Sequence, residues 1–229
     1  NGYSLVITAD LGITNIKEVE YLKSKNVDII LSDHHLPITL EGVEVLPDTQ
    51  YLINPMVSYE TYKNKYLCGA GVAWKLAHAF LVKYRKEYNV IEGWEKWLLD
   101  MVAIALVADM MPLVGENRKL VTFGLKVLQK SPRPAIQKIC ALAKVNQREL
   151  NEKDIAFTFA PRINAAGRMD HPILAYKMLA DIDGKGLEYV EIIEDLNTKR
   201  KQSVKDINSF VKDMTLTNGD GPVLVGNKD

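Results

Sequence analysis

Asp33-His34-His35 follows directly on the apolar run Ile29-Ile30-Leu31 and is closed by Leu36-Pro37. Proline forbids continuing that run into a helix, so the acid and both histidines fall at the C-terminal end of a buried strand. Carboxylate oxygens and imidazole nitrogens form a mixed donor set suited to a divalent metal ion. Two further acids stand in comparable settings. Asp10 ends the β-rich run from Tyr3 to Ala9, and Asp109 ends the apolar run from Leu98 to Ala108, just ahead of Met110-Met111-Pro112. A carboxylate where a buried helix stops is costly to desolvate unless it is paired or bound to metal. The competing reading is a polar turn with solvated histidines and an ordinary surface acid at position 109. The recurrence of acids at element ends weighs against it.

The elements that must hold these groups can be read from periodicity. Gly12 follows Asp10, and Thr14 or Asn15 can cap a helix from Ile16 to Lys25, whose Ile16, Val19 and Leu22 form one apolar face. A strand over Asp28 to Ser32 completes a β-α-β unit. Its two strands are expected to be parallel neighbours, which places Asp10 beside Asp33-His34-His35 on one sheet edge. Glu41 to Tyr66 reads as irregular apart from a short strand at Tyr51-Leu52-Ile53. Helices are expected over Ala70 to Tyr88, Glu92 to Ala108, Glu116 to Leu128 and Ala135 to Ala143. Asn151 heads another through Phe157, and Leu187 to Met214 forms one long helix. Gly69 and Gly71 permit close backbone approach at the start of the first of these. The fold class expected is α/β, with a mostly parallel sheet flanked by helices, then a helical region and a long connector helix.

Several ordered motifs carry a resemblance to a known family. They are Val6-Ile7-Thr8-Ala9-Asp10-Leu11-Gly12-Ile13, Ser32-Asp33-His34-His35-Leu36-Pro37 and Cys68-Gly69-Ala70-Gly71-Val72-Ala73-Trp74-Lys75-Leu76. Val107 to Leu113, Gly115-Glu116-Asn117-Arg118 and Ala160-Pro161-Arg162-Ile163-Asn164-Ala165-Ala166-Gly167-Arg168 continue the set. The chain resembles the DHH phosphoesterase superfamily, and within it the RecJ group of single-strand-specific exonucleases. The resemblance implies that Asp10 bridges two divalent metal ions, Mn²⁺ or Mg²⁺, with His34 and Asp109 completing the second ion's shell. It implies that His35 faces the substrate phosphate and that Asp33 holds a histidine in the required tautomer. Two such ions about 3.5–4 Å apart activate water and neutralise charge on phosphorus. The Arg162 to Arg168 stretch is expected to be a loop lining the cleft, with Arg168, Asn164 and Arg162 as candidate phosphate ligands; an arginine salt-bridged to a helix is the alternative.

The family's first Asp-x-Asp motif is not found ahead of Asp10, and Gly221 to Val225 reads as the opening strand of a further domain. The expectation is therefore an internal fragment. Residues 1–185 would be the DHH domain, 186–216 the connector helix, and 217–229 the start of a DHH-associated domain. Such a fragment would hold one metal well and be close to inactive. The parent protein would be a cytoplasmic 5′→3′ exonuclease on single-stranded DNA, acting in repair or recombination with helicase or single-strand-binding partners. Alternatives are a DHH phosphodiesterase on short oligonucleotides or cyclic dinucleotides, and a non-catalytic nucleic-acid-binding scaffold.

Composition excludes other classes. Twenty-nine basic and 29 acidic residues give zero net charge, which argues against a histone-like polyanion binder but leaves room for a locally basic nuclease. Cys68 and Cys140 lack metal-ligand spacing and read as buried thiols. No segment has the roughly 18 unbroken apolar residues of a membrane span.

Overall fold

β1 (Leu5–Ile7), β2 (Asp28–Ser32) and a later strand, β5 (Tyr51–Ile53), form a wholly parallel sheet in the order β1-β2-β5. Val6 pairs with Ile29, and Leu31 with Leu52. The computed structural model describes residues 2–181 and 184–213, the last three by backbone alone. Residues 217–229, expected to open another domain, lie outside that range. Helix α1 (Ile16–Ser24) joins β1 to β2 and buries Val19 against Ile29 and Leu31. It ends on Asn26 in the left-handed region, where the amides of Asn26 and Val27 close back on the carbonyls of Lys23 and Leu22. This is a Schellman ending with asparagine in place of glycine.

The stretch read as irregular, 41–66, and the residues just ahead of it hold more order than expected. β3 (Ile38–Leu40) and β4 (Val43–Val45) make an antiparallel hairpin across Glu41-Gly42, both at positive φ. Strands of three residues are too short to show an alternating pattern, which explains why periodicity missed them.

Helix α2 (Gly69–Tyr84) follows, shorter at its end than the expected 70–88. The expected helix over 92–108 is two pieces, a 3₁₀ turn (Trp94–Leu98) after the left-handed Gly93, then α3 (Leu99–Ala108). α4 (Gly115–Leu128) packs closely on α3, because Gly124 lies where any Cβ would overlap the Leu99 carbonyl and the Ala103 methyl. Leu67, Cys68, Val72, Val102, Leu106 and Val121 form the core between α2, α3 and α4. Burial pushes the Cys68 thiol up to about 11, as it does Cys140, so both are inert as nucleophiles at neutral pH. α5 (Pro134–Ala143) starts with proline at its first position. α6 (Glu152–Asp154) is capped by Asn151 in a reciprocal capping box with Asp154, and it runs into a π turn over Ile155–Phe159.

The described residues up to 160 form one compact unit and those from 161 on a second. The second contains α7 (Ala160–Met169), α8 (Ile173–Ala180) and α9 (Gly186–Asp213). Val190, Ile193 and Leu196 on α9 are buried, whereas Val204 and Ile207 further along it are exposed. No helix among the described residues is long and apolar enough to cross a membrane.

Candidate metal centre

The parallel register brings the ends of β1, β2 and β5 to one edge. Beyond β1 the ladder continues, with the Thr8 amide donating to Ile30 and the Asp10 amide to Ser32. Asp10 itself turns out of the strand at φ +67, an uncommon conformation for a residue with a Cβ. Gly12, at φ +123, completes the turn; a Cβ there would press on the Leu31 side chain and the Thr8 hydroxyl.

Asp33 organises the site. Its side chain is 1% exposed, and both oxygens are engaged. Oδ2 accepts from the Ile13 amide at 2.9 Å, tying the Asp10–Gly12 turn to β2. Oδ1 accepts from the amides of His34 at 2.7 Å and His35 at 3.3 Å, and pairs with His35 Nδ1 at 2.7 Å. Burial pulls the Asp33 carboxyl up, but the Ile13 amide, the His35 ring and the two histidine amides outweigh it and hold it below the ordinary carboxylate range. An ionised acceptor puts the His35 proton on Nδ1 and leaves Nε2 as the lone-pair nitrogen.

His34 Nε2 lies 3.0 Å from Asp10 Oδ1, and the two histidine rings sit 4.4 Å apart at a tilt of 52°. One donor atom from each of Asp10, His34 and His35 lies within 4.8 Å of the other two. The hydrogen bond to Asp10 raises the His34 pKa above its usual value, with burial opposing and the charges of Asp10, Asp109 and Asp33 assisting. Asp109 stands close enough to be perturbed. Desolvation raises its carboxyl and the Asp10 charge raises it further, while both histidines lower it. Acids that repel one another beside two imidazoles suit a divalent cation, whose charge relieves the repulsion.

Asp109 is nonetheless more open to solvent than a carboxylate at a buried helix end was expected to be. It caps α3 in a Schellman ending in which the amides of Met110 and Met111 bond the carbonyls of Val107 and Leu106, with Met110 at φ +56. That turn lifts the chain off the core at Asp109.

The structure shows what the close approach expected at Gly69 accommodates, and it adds residues that sequence reasoning overlooked. Gly69, the first residue of α2, abuts Asp10 so tightly that a Cβ would overlap the carboxylate. The small residues at this helix start therefore make room for the site's own acid. Asn54, buried at the end of β5, donates to the His35 carbonyl at 2.9 Å and accepts from Met56. Its place after the third parallel strand was the available signal. Asn117 donates to the carbonyls of Tyr66 and Pro112, fastening the segment before Gly69 to the segment after Asp109.

The Arg162 to Arg168 stretch corrects an expectation: it is helix α7, not a loop. Arg162 is buried, and its Nε and Nη2 reach Glu194 of α9 at 2.6 and 3.1 Å, which matches the salt-bridged alternative rather than a phosphate ligand. Ala165 and Ala166 are fully buried, whereas Asn164 and Arg168 are exposed. In the basic run of α9, Lys199 pairs with Asp195 and Arg200 with Asn197.

Comparison with known proteins agrees with the fold and the motif. Residues 3–106 match the DHH family, N-terminal domain. The single-stranded-DNA-specific exonuclease RecJ of Bacillus subtilis is 35% identical over 219 residues, covering 95% of this chain and 26% of that protein. RecJ of Escherichia coli is 32% identical over 208 residues, 88% of this chain and 35% of its own length. A crystal structure of exonuclease RecJ bound to manganese superposes with a TM-score of 0.74 at 28% identity, over 89% of this chain and 49% of its own. RecJ in complex with Mn²⁺ from Thermus thermophilus gives 0.73 at 27% identity, over 89% of this chain and 29% of its own. Residues 3–106 thus carry a match to the DHH family's N-terminal domain, and the chain is similar to RecJ exonucleases over most of its length. It spans about a quarter to a third of the length of the curated relatives it matches.

Proposed function

We propose that this chain carries a divalent-metal centre of a single-stranded-DNA exonuclease that hydrolyses phosphodiester bonds. The observation that carries the reading is the convergence of Asp10, His34 and His35 within ligand distance, on a turn organised by Asp33. Asp10 and His34 would hold a Mn²⁺ or Mg²⁺ ion, with Asp109 beside them. A divalent cation there supplies charge to a phosphate and acidifies water. The chain's own contributions are positional. Asp33 fixes the His35 ring and its tautomer, leaving Nε2 toward the cleft to contact a phosphate oxygen. Asn54 holds the His35 backbone, and Gly69 leaves Asp10 its room. His34 in its proton-bearing form cannot ligate, so metal affinity should rise with pH through its raised pKa.

Finer points of the proposal follow from the family resemblance alone: 5′→3′ polarity, a second metal ion, a role in repair or recombination, helicase or single-strand-binding partners and a cytoplasmic setting. Asn164 and Arg168, four residues apart and exposed on one face of α7, remain candidates for phosphate contact. Arg162 is withdrawn because Glu194 occupies its guanidinium.

Calorimetric titration with Mn²⁺ beside Asp10→Ala and His34→Ala tests the centre. Binding near one equivalent, abolished by both substitutions, supports it. No binding by a folded chain at neutral pH would refute it. Activity against a length series of single-stranded DNA, compared with cyclic dinucleotides, then separates the exonuclease from a small-substrate phosphodiesterase.

A further inference from the structure

The first unit holds a second concave site. Between α2, the Trp94–Leu98 turn, α3 and α4 lies a cavity of about 690 Å³, within the size range of small-molecule pockets. Its lining combines three features. The first is aromatic surface: Trp74, fixed by its Nε1 donating to the Glu95 carbonyl at 2.9 Å and stacked on His78, with Trp97 and Phe123 about half exposed. The second is positive charge. Lys75, Lys96, Lys119, Lys126 and Lys130 all line it, in a chain whose net charge is zero. Among the described residues, Lys75 is the one of these five in an ion pair with an acid of the lining, Glu116 at 2.5 Å. The third is an unsatisfied buried acceptor. Glu95 is 3% exposed and lines the cavity, and among the described residues no hydrogen-bond donor reaches its Oε2. Its Oε1 is only 3.8 Å from His78 and 3.9 Å from Arg85.

Each feature asks something of an occupant. A buried carboxylate oxygen without a donor costs free energy that a ligand N–H would recover. Flat apolar walls favour an aromatic ring. A lysine rim favours an anion attached to that ring. A nucleobase with an exocyclic amino group, joined to a phosphate, meets all three demands together.

We propose that this cavity is a nucleotide-binding site separate from the metal centre. The base lies against Trp74 and Trp97, its amino group donates to Glu95 Oε2, and its phosphate meets the lysine rim. The same chemistry is presented by a free mononucleotide and by one unit of single-stranded DNA. Guanine, adenine and cytosine carry the amino donor. Thymine presents carbonyls in its place and should bind least well.

The chain supplies its own reporter, because its three tryptophans, Trp74, Trp94 and Trp97, all lie on the cavity or on the turn that borders it. The experiment is tryptophan fluorescence without divalent metal, titrated with dGMP, dAMP, dCMP and TMP, then with the matching short homo-oligonucleotides and with inorganic phosphate. Saturable quenching is expected, with TMP weaker than dGMP by about tenfold. Glu95→Leu should erase that base preference. The exposed pair Lys126→Glu with Lys130→Glu should weaken all nucleotides alike. Tighter saturation by mononucleotide or by oligonucleotide identifies the source. Absence of quenching at millimolar nucleotide would overturn the proposal. So would equal competition by inorganic phosphate, or a base preference that survives Glu95→Leu in a folded protein. Because metal is omitted, failure here leaves the metal-centre reading untouched, and the reverse also holds.

Discussion

The Asp33-His34-His35 turn and the Arg162–Glu194 pair are both built on a buried charge, yet one was expected from the sequence and the other was misread. Asp33 collects three of its four hydrogen bonds from residues one and two positions away, and the fourth from the β1 turn next to it in the sheet. Arg162 is matched across 32 residues by a glutamate on another helix. A charge whose partners are its sequence neighbours announces its role through a motif. A charge paired at long range looks, in sequence, like a free guanidinium awaiting a phosphate.

Substitutions can sharpen or break this contrast. The largest effect should come from Asp33→Ala, which strips four donors of their buried acceptor and should cost about 3–5 kcal/mol in denaturant unfolding as well as Mn²⁺ binding. A cost under about 1 kcal/mol would show that the turn holds without its carboxylate. The same carboxyl sets an acid limit. Its folded pKa lies below the unfolded 3.8, so its stabilisation is complete above 3.8 and vanishes as pH falls through the lowered folded value. Asp33→Asn should flatten that part of the stability–pH curve, and an unchanged acid transition would contradict the assignment.

Arg162→Ala should come next, destabilising the chain by about 2–3 kcal/mol because the nearly buried Arg162 loses both its packing and the two bonds to Glu194. Metal affinity should stay at its original value. A loss of Mn²⁺ binding with the fold intact would return Arg162 to the site. Gly69→Ala should reverse that signature: a modest stability change, but Mn²⁺ affinity weakened roughly 10–100-fold as the new methyl displaces Asp10. Arg168→Ala should be smallest, within about 0.5 kcal/mol in stability, since the side chain is exposed. Any effect it has should appear in single-stranded DNA affinity and weaken with salt.

The same contrast explains what was legible. The β-α-β unit, the short strand at Tyr51–Ile53 and the helices bearing apolar stripes followed from periodicities that the backbone imposes locally. The Asn164 to Gly167 run was expected to be a loop on the family resemblance, whereas it is helical and the two alanines within it, which favour helix, are buried. The β3–β4 hairpin and the break at Gly93 were too short or too local to leave a period.

By itself the sequence determined the class of fold, the edge on which the acids and histidines gather, and the family they resemble, because strand ends and adjacent ligands are encoded by neighbours along the chain. Only the tertiary structure decided that Gly69 makes room for Asp10, that Asn54 and Asn117 brace the cleft, that Arg162 belongs to Glu194, and that Glu95 lines a lysine-rimmed cavity with an oxygen unpartnered among the described residues. Those facts depend on which side chains meet across tens of residues. Packing selects such meetings from many partners of equal chemistry, and no spacing along the chain records the choice.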